Sequence, residues 1–377
     1  MAFRSRKLAK VLALAVPCSS FVCPQQVSCV KHSLEVDGVS YCYDDEEKYL
    51  YIDGIGKGGE IKNDALINFI ANKDVESVII GEGTARATGK YHSKSPKILT
   101  KGSKCGSKIN AKKRDGFGKG LAEYICSFIP FSDLQIGENS FLGTNLKNIK
   151  IFSGVTRIGD SVFSYTRLKS LQIFGNATEI GSYAFLGCIF LEEVKLPNSL
   201  LKIGEWAFSG CVNLKNIRIP GNVIEIGNRA FMGCTFLEEV QLSDALLKID
   251  DKTFSGCESL KEIRIPENVT EIGNRAFMGC KSLKEVQLPD ALLKIDDNTF
   301  SGCESLKEIR IPKNVTKIGG SAFRGCKSLE EIRIPENVTK IGDYAFYGCK
   351  SLVEARVSKT AKIGKNAFPT TTKIIRY

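Results

Sequence analysis

Apolar residues in the C-terminal two thirds of the chain recur in short alternating runs. The run LKEIRIPENVTEIGNRAFMGCKS, from Leu260 to Ser282, shows the unit at its clearest. Ile263 and Ile265 alternate with Glu262 and Arg264, the period-2 pattern of a strand with one buried face. Pro266 follows at once. It has no N–H to give to a ladder, so the strand is expected to end there. Glu267 to Thr270 read as a turn, and Ile272-Gly273 returns the chain to the core. Ala276, Phe277 and Cys280 then fall at 0, +1 and +4, a spacing compatible with one helical or 3₁₀ turn.

Aligned on phenylalanine, the copies are Phe141, Phe163, Phe185, Phe208, Phe231, Phe254, Phe277, Phe300, Phe323, Phe346 and Phe368, eleven units with periods of 22 or 23. A unit of this kind has an apolar face and no second layer to cover it, so it must stack on copies of itself. Units alternate between LKEIRIPENVTEIGNRAFMGC and LKEVQLPDALLKIDDNTFSGC, a 46-residue pair. Cys188, Cys211, Cys234, Cys257, Cys280, Cys303, Cys326 and Cys349 follow the same period of 23. Metal and redox cysteines come in close pairs, whereas one cysteine per period marks a repeated structural position. Thr144, Thr166 and Thr371 take its place near the two ends, the irregularity that outer repeats need in order to cap an array.

The pattern I-x-I-P-x-x-V-T-x-I-G-x-x-A-F-x-x-C-x-x-L resembles the BspA-like class of leucine-rich repeats, and the resemblance runs from about Ser127 to Tyr377. It implies an α/β repeat solenoid: a right-handed array with one short parallel strand per 22–23-residue unit. The stretch from Leu34 to Glu60 resembles the small β-rich N-terminal cap that precedes such repeats. Members of the class are mostly secreted or surface-attached proteins of host-associated microbes, implicated in adhesion. That carries over as an expectation only, since fold does not fix function. The expected organisation is a signal peptide over 1–30, the cap and a degenerate first repeat over 31–85, a basic insertion over 86–126 and repeats over 127–377.

The insertion is what charge adds to this picture. The chain carries a net +11, and the stretch from Arg86 to Lys119 holds eleven Lys or Arg against Asp115 alone. The remainder has 42 basic and 41 acidic residues, so the basic character is assigned to one segment. Ahead of it, Arg4, Arg6, Lys7 and Lys10 precede a mostly apolar stretch from Val11 to Cys23, the order of a secretory signal peptide with cleavage near Ser28. Pro17 and two serines interrupt that stretch, which leaves open a retained basic N-terminus in the cytoplasm. No run of 18 apolar residues marks a membrane helix.

Candidate chemistry is sparse. Parallel side chains on adjacent rungs suit disulfides poorly, so the cysteine column is expected to be a ladder of reduced core thiols. The DGIGKGG run lacks the Ser or Thr that a phosphate loop needs after Lys57, and His32 and His92 stand apart from any ligand or triad arrangement. No enzyme, metal or cofactor is expected. The residue between the two apolar strand positions is Lys150, Gln172, Lys195, Arg218, Gln241, Arg264, Gln287, Arg310, Arg333 and Arg356 in successive units. Stacked like charges repel. Lys195, Arg218, Arg264, Arg310, Arg333 and Arg356 are therefore the candidate partner-binding face. The alternative is a plain hydrophilic surface, neutralised by a column of glutamates two residues earlier.

Lys101, Lys104, Lys108, Lys112, Lys113 and Arg114 of the insertion are candidates for binding a polyanion. Nucleic acid is not expected there, because only Tyr91 and Phe117 offer rings for stacking. Cys42, Cys105 and Cys126 are available for a disulfide in an exported chain. The leading functional reading is an exported, monomeric, non-enzymatic protein that binds a protein or glycan, an adhesin, secreted or at the cell surface. Its alternatives are an intracellular scaffold with reduced thiols and a polyanion-binding protein acting through the insertion.

Overall fold

The computed structural model describes residues 134–151 and 155–377, together with five strands before them: His32–Val36, Val39–Asp44, Tyr49–Gly54, Glu60–Ile61 and Ser77–Ile80. The expected signal peptide, the basic insertion and the side chains of Cys42, Cys105 and Cys126 lie outside the described residues.

Two parallel ladders run along the array. The long-strand ladder starts with three antiparallel strands, His32–Val36, Val39–Asp44 and Tyr49–Gly54. It continues in parallel through Ser77–Ile80, Asn148–Ile151, Ser170–Ile173 and Glu193–Lys195. Later units repeat this pairing, as in Glu262–Arg264 with Glu285–Gln287 and Glu331–Arg333 with Glu354–Val357. The short-strand ladder is built from the I-G positions, with strands such as Glu179–Ile180, Lys202–Ile203 and Glu225–Ile226 paired in register. Ser77–Ile80 pairs directly with Asn148–Ile151, and Glu60–Ile61 with Leu134–Ile136. The rungs that precede and follow residues 81–133 in the sequence are therefore adjacent in both ladders.

Two expectations are corrected. Most units supply two strands to the ladders, not one; residues 308–310 are the long-strand position that forms no strand. The class is β rather than α/β, because the described residues contain no helix. The A-F-x-x-C segment forms turns because its amides point along the array. The N–H groups of Arg275, Phe277 and Gly279 donate to Asp297, Thr299 and Ser301 of the next unit at 3.1, 2.9 and 2.8 Å. Arg275 and Gly279 sit at φ of 57° and 78°, which no continuing α-helix allows.

The core is one continuous column of equivalent residues. From Phe141 to Phe368 each ring stacks on the next, with centroids between 4.9 and 5.5 Å and planes within 16°. Leu260, Ile263, Ile265, Val269 and Ile272 of the unit are buried with Phe277. Gly273 marks how closely rungs approach, since a Cβ there would lie 2.7 Å from the backbone nitrogen of Asp251. Turns are tied in the same direction: Asn268, Asn314 and Asn337 each donate an Nδ2–H to the preceding turn, at the carbonyls of Asp244, Asp290 and Lys313.

Every interior phenylalanine thus packs against two others, and removing one leaves a cavity with stacked neighbours on both sides. Phe277→Ala is expected to lower the unfolding free energy by about 3–5 kcal/mol, read from the urea midpoint. An unchanged midpoint would show that the ring column is not what binds the units together.

Candidate functional site

Thiols are the side chains of the array whose ordinary chemistry includes redox and metal binding. All eight ladder cysteines are free and buried. Each Sγ–H donates to the phenylalanine carbonyl of the preceding unit: Cys211 to Phe185, Cys234 to Phe208, Cys280 to Phe254 and Cys349 to Phe323, at 3.1–3.3 Å. This gives cysteine a purpose that alanine or valine lacks, a small apolar body with one inter-unit donor. At the N-terminal end, Thr144 and Thr166 donate instead to Phe141 and Phe163 of their own units at 2.8 and 2.9 Å. Thr371, at the other end, is exposed. Burial pushes the thiols of Cys234 and Cys280 from the ordinary 9.0 up to about 12. It also raises Cys257 and Cys303 well above the ordinary value. Such thiols carry almost no thiolate near neutrality and are poor nucleophiles or metal ligands. Among the described residues no group of three His, Cys, Asp or Glu side chains converges on a metal position.

The long-strand face carries the column of cations. Lys195, Arg218, Arg264, Arg310, Arg333 and Arg356 are all exposed. Register places Gln241 beside Arg218 and Gln287 beside Arg264, so glutamine separates some of the cations. Arg333 and Arg356 stand directly side by side. The glutamate column stacks on itself, Glu262 beside Glu285 and Glu331 beside Glu354, and neutralises little of the arginine column. Arg356 Nε bonds Glu354 at 2.9 Å, which raises that guanidinium's pKa further, and Arg310 reaches Asp290 only at 4.0 Å. Lys195, Arg218, Arg264 and Arg333 make no ion pair among the described residues.

One surface feature escaped the sequence reading. The residue two before each phenylalanine is held at positive φ, and in three successive units it is Tyr183, Trp206 and Arg229. Tyr183 and Trp206 stack at 6.1 Å, and the Arg229 guanidinium lies 4.9 Å from the indole centroid. A tyrosine or tryptophan where the backbone favours Asn or Gly has no local signature. The fixed offset from phenylalanine was the only available signal. The insertion cations from Lys101 to Arg114 lie outside the described residues. No described helix is long and apolar enough to cross a membrane.

Comparison with known families matches residues 134–261 and 247–375 to the BspA type leucine rich repeat region, in six copies. No match is found among curated proteins. Among solved structures, a leucine-rich repeat protein from Bacteroides ovatus is 27% identical over 64% of this chain and 87% of its own, with a TM-score of 0.39. A leucine rich cell surface protein from Faecalibacterium prausnitzii is 21% identical over 88% and 94%, with a TM-score of 0.35. The pneumococcal vaccine antigen PcpA is 17% identical over 91% and 93%, with a TM-score of 0.46.

Burial of the thiols makes two measurable outcomes. Iodoacetamide at pH 8 is expected to leave the eight ladder cysteines unmodified in the folded chain and to label all eight after denaturation, by peptide mass. Because the folded-state values of Cys234 and Cys280 are raised, the unfolded chain releases these two protons first as pH climbs. The stabilisation is complete below about pH 9 and is lost as pH rises through about 12. The unfolding temperature should fall steadily across that window, and a flat profile would contradict the assignment.

Proposed function

The chain belongs to the BspA-type leucine-rich repeat family, and on that premise we propose that it is an exported, non-enzymatic binding protein, an adhesin, whose long-strand face meets a protein or glycan partner. The observation that carries this reading is the set of exposed cations Lys195, Arg218, Arg264 and Arg333, which no described acid neutralises. A planar guanidinium suits carboxylates and flat polar surfaces. Their separation by whole rungs along one face lets an extended partner engage several such groups at once. Export rests on the basic head and apolar stretch before Cys23.

A second reading, an intracellular scaffold, is favoured by the eight buried free thiols, which sit comfortably in a reducing compartment. The two differ in the fate of the N-terminus. Export predicts a mature chain trimmed near Ser28 and found outside the cytoplasm, and a full-length cytosolic chain would replace it with the scaffold.

Charge reversal at Arg264, Arg310 and Arg333 to Glu tests the binding face. On a panel of immobilised extracellular-matrix proteins and glycans, the triple variant is expected to lose at least tenfold in affinity for whichever ligand the unaltered chain retains. Its urea midpoint should hardly move, since exposed substitutions usually change stability by no more than about 0.5 kcal/mol each. Equal binding by the variant would remove the long-strand face from consideration.

A further inference from the structure

The short-strand ladder carries a charge rule that the last units break. Its outward position runs Arg157, Glu179, Lys202 and Glu225 in direct register, then Lys248 beside Glu271. Opposite charges therefore alternate rung by rung. The pairs close as ion pairs: Arg157 with Glu179 at 3.1 Å, Lys202 with Glu225 at 3.1 Å and Lys294 with Glu271 at 3.2 Å. Beyond Glu271 the alternation stops. Lys294, Lys317, Lys340 and Lys362 stand side by side in register on four consecutive rungs.

Neighbouring positions deepen the imbalance. Where lysine occupies this position in the middle of the array, an aspartate two residues on pairs with it: Asp250 with Lys248 at 2.9 Å and Asp296 with Lys294 at 3.0 Å. After Lys317, Lys340 and Lys362 that aspartate is Gly319, Gly342 and Gly364. These three lysines are exposed and make no ion pair among the described residues. Asp343, three residues beyond Lys340, accepts the Lys365 N–H at 2.8 Å. The asymmetry extends beyond this one column. Residues 134–293 hold seventeen basic and eighteen acidic side chains, whereas residues 294–377 hold sixteen and nine, a net +7. The near-neutral total outside the basic segment concealed a basic end of the array.

Like charges directly opposite on adjacent strands destabilise a sheet, and a glutamate at one of these rungs would have restored the pattern that runs from Arg157 to Glu271. We propose that the column Lys294, Lys317, Lys340 and Lys362 is a binding site for a linear sulfated polysaccharide, laid along the array axis. It is a different ladder from the arginine face, and the inference does not rest on that reading. Three unpaired ammonium groups in a line, with the paired Lys294 at the head of the column, one per rung of about 4.8 Å, match an extended chain that advances about one sugar ring per rung. Gly319 and Gly342, packed against the preceding rung, put no acidic side chain beside the column, and the exposed Thr316 and Thr339 flank it. The stretches 313–320, 336–343 and 359–365 contain no aromatic residue on which a nucleobase could stack.

The test is binding of the full chain to size-defined heparin oligosaccharides in low and moderate salt, with amine acetylation read lysine by lysine. Lys317, Lys340 and Lys362 are expected to become protected, while the paired Lys202 and Lys248 keep their reactivity. Lys317→Glu rebuilds the alternation between Lys294 and Lys340. It should cut affinity about tenfold while raising the unfolding temperature, and Lys317→Gln should weaken binding less. The salt slope of log affinity should fall by about 1 in the Gln variant. Four results would each overturn the proposal: no binding by the unaltered chain; binding that leaves these three lysines reactive; affinity unchanged in both variants; or affinity lost with a lowered unfolding temperature in both. An oligodeoxythymidine of equal charge that binds as tightly and is lost in the same variants would overturn the choice of polysaccharide.

Discussion

The structure depends on one geometric constraint: each side chain sits directly on its equivalent in the next unit. The phenylalanine column, with centroids at 4.9–5.5 Å, is the clearest expression of it. Stacking identical rings suits an apolar residue, and it is the only way a unit without a second layer can leave water. The same translation brings each thiol onto a phenylalanine carbonyl of the preceding unit and each turn asparagine onto the turn before it. It also requires glycine at Gly273, where the backbones nearly touch.

For charged residues the constraint works in reverse, because repeating a side chain repeats its charge. The array meets this in three ways. Along most of the short-strand ladder it alternates sign, as in Lys202 against Glu225. On the long-strand face it interposes Gln241 and Gln287 between arginines. At the last rungs it does neither, and Lys317, Lys340 and Lys362 accumulate. Surface ion pairs stabilise little, so departures from alternation are cheap enough for selection to place them where a partner supplies the counter-charge. The functional proposals for both faces rest on that reasoning.

Much of this was legible in the chain before any coordinates. The period, the phenylalanine and cysteine columns, the strand ended by Pro266 and the family all follow from residues that recur at a fixed offset. What stayed hidden depends on register. A two-residue strand such as Glu271–Ile272 is too short to show alternation, so the second ladder was read as a return to the core. The 0, +1, +4 spacing of Ala276, Phe277 and Cys280 fits a helical turn and a turn with outward amides equally well. The bonds to the next unit, such as Phe277 to Thr299, and the positive φ of Arg275 and Gly279 separate them. The lysine column was invisible for the same reason: its members lie 22 or 23 residues apart, and the Lys/Glu alternation that they break exists only between paired strands.

The central claim is that cohesion passes only between adjacent copies of the same position. A double-mutant cycle in urea addresses it directly, comparing Phe277/Phe300, which stack at 5.4 Å, with Phe254/Phe300, which are separated by a rung. The account predicts a coupling of about 0.5–3 kcal/mol for the adjacent pair. For the separated pair it predicts additivity within about 0.5 kcal/mol. Equal coupling for both pairs would show that the array is held together by something longer in range than its stacked columns.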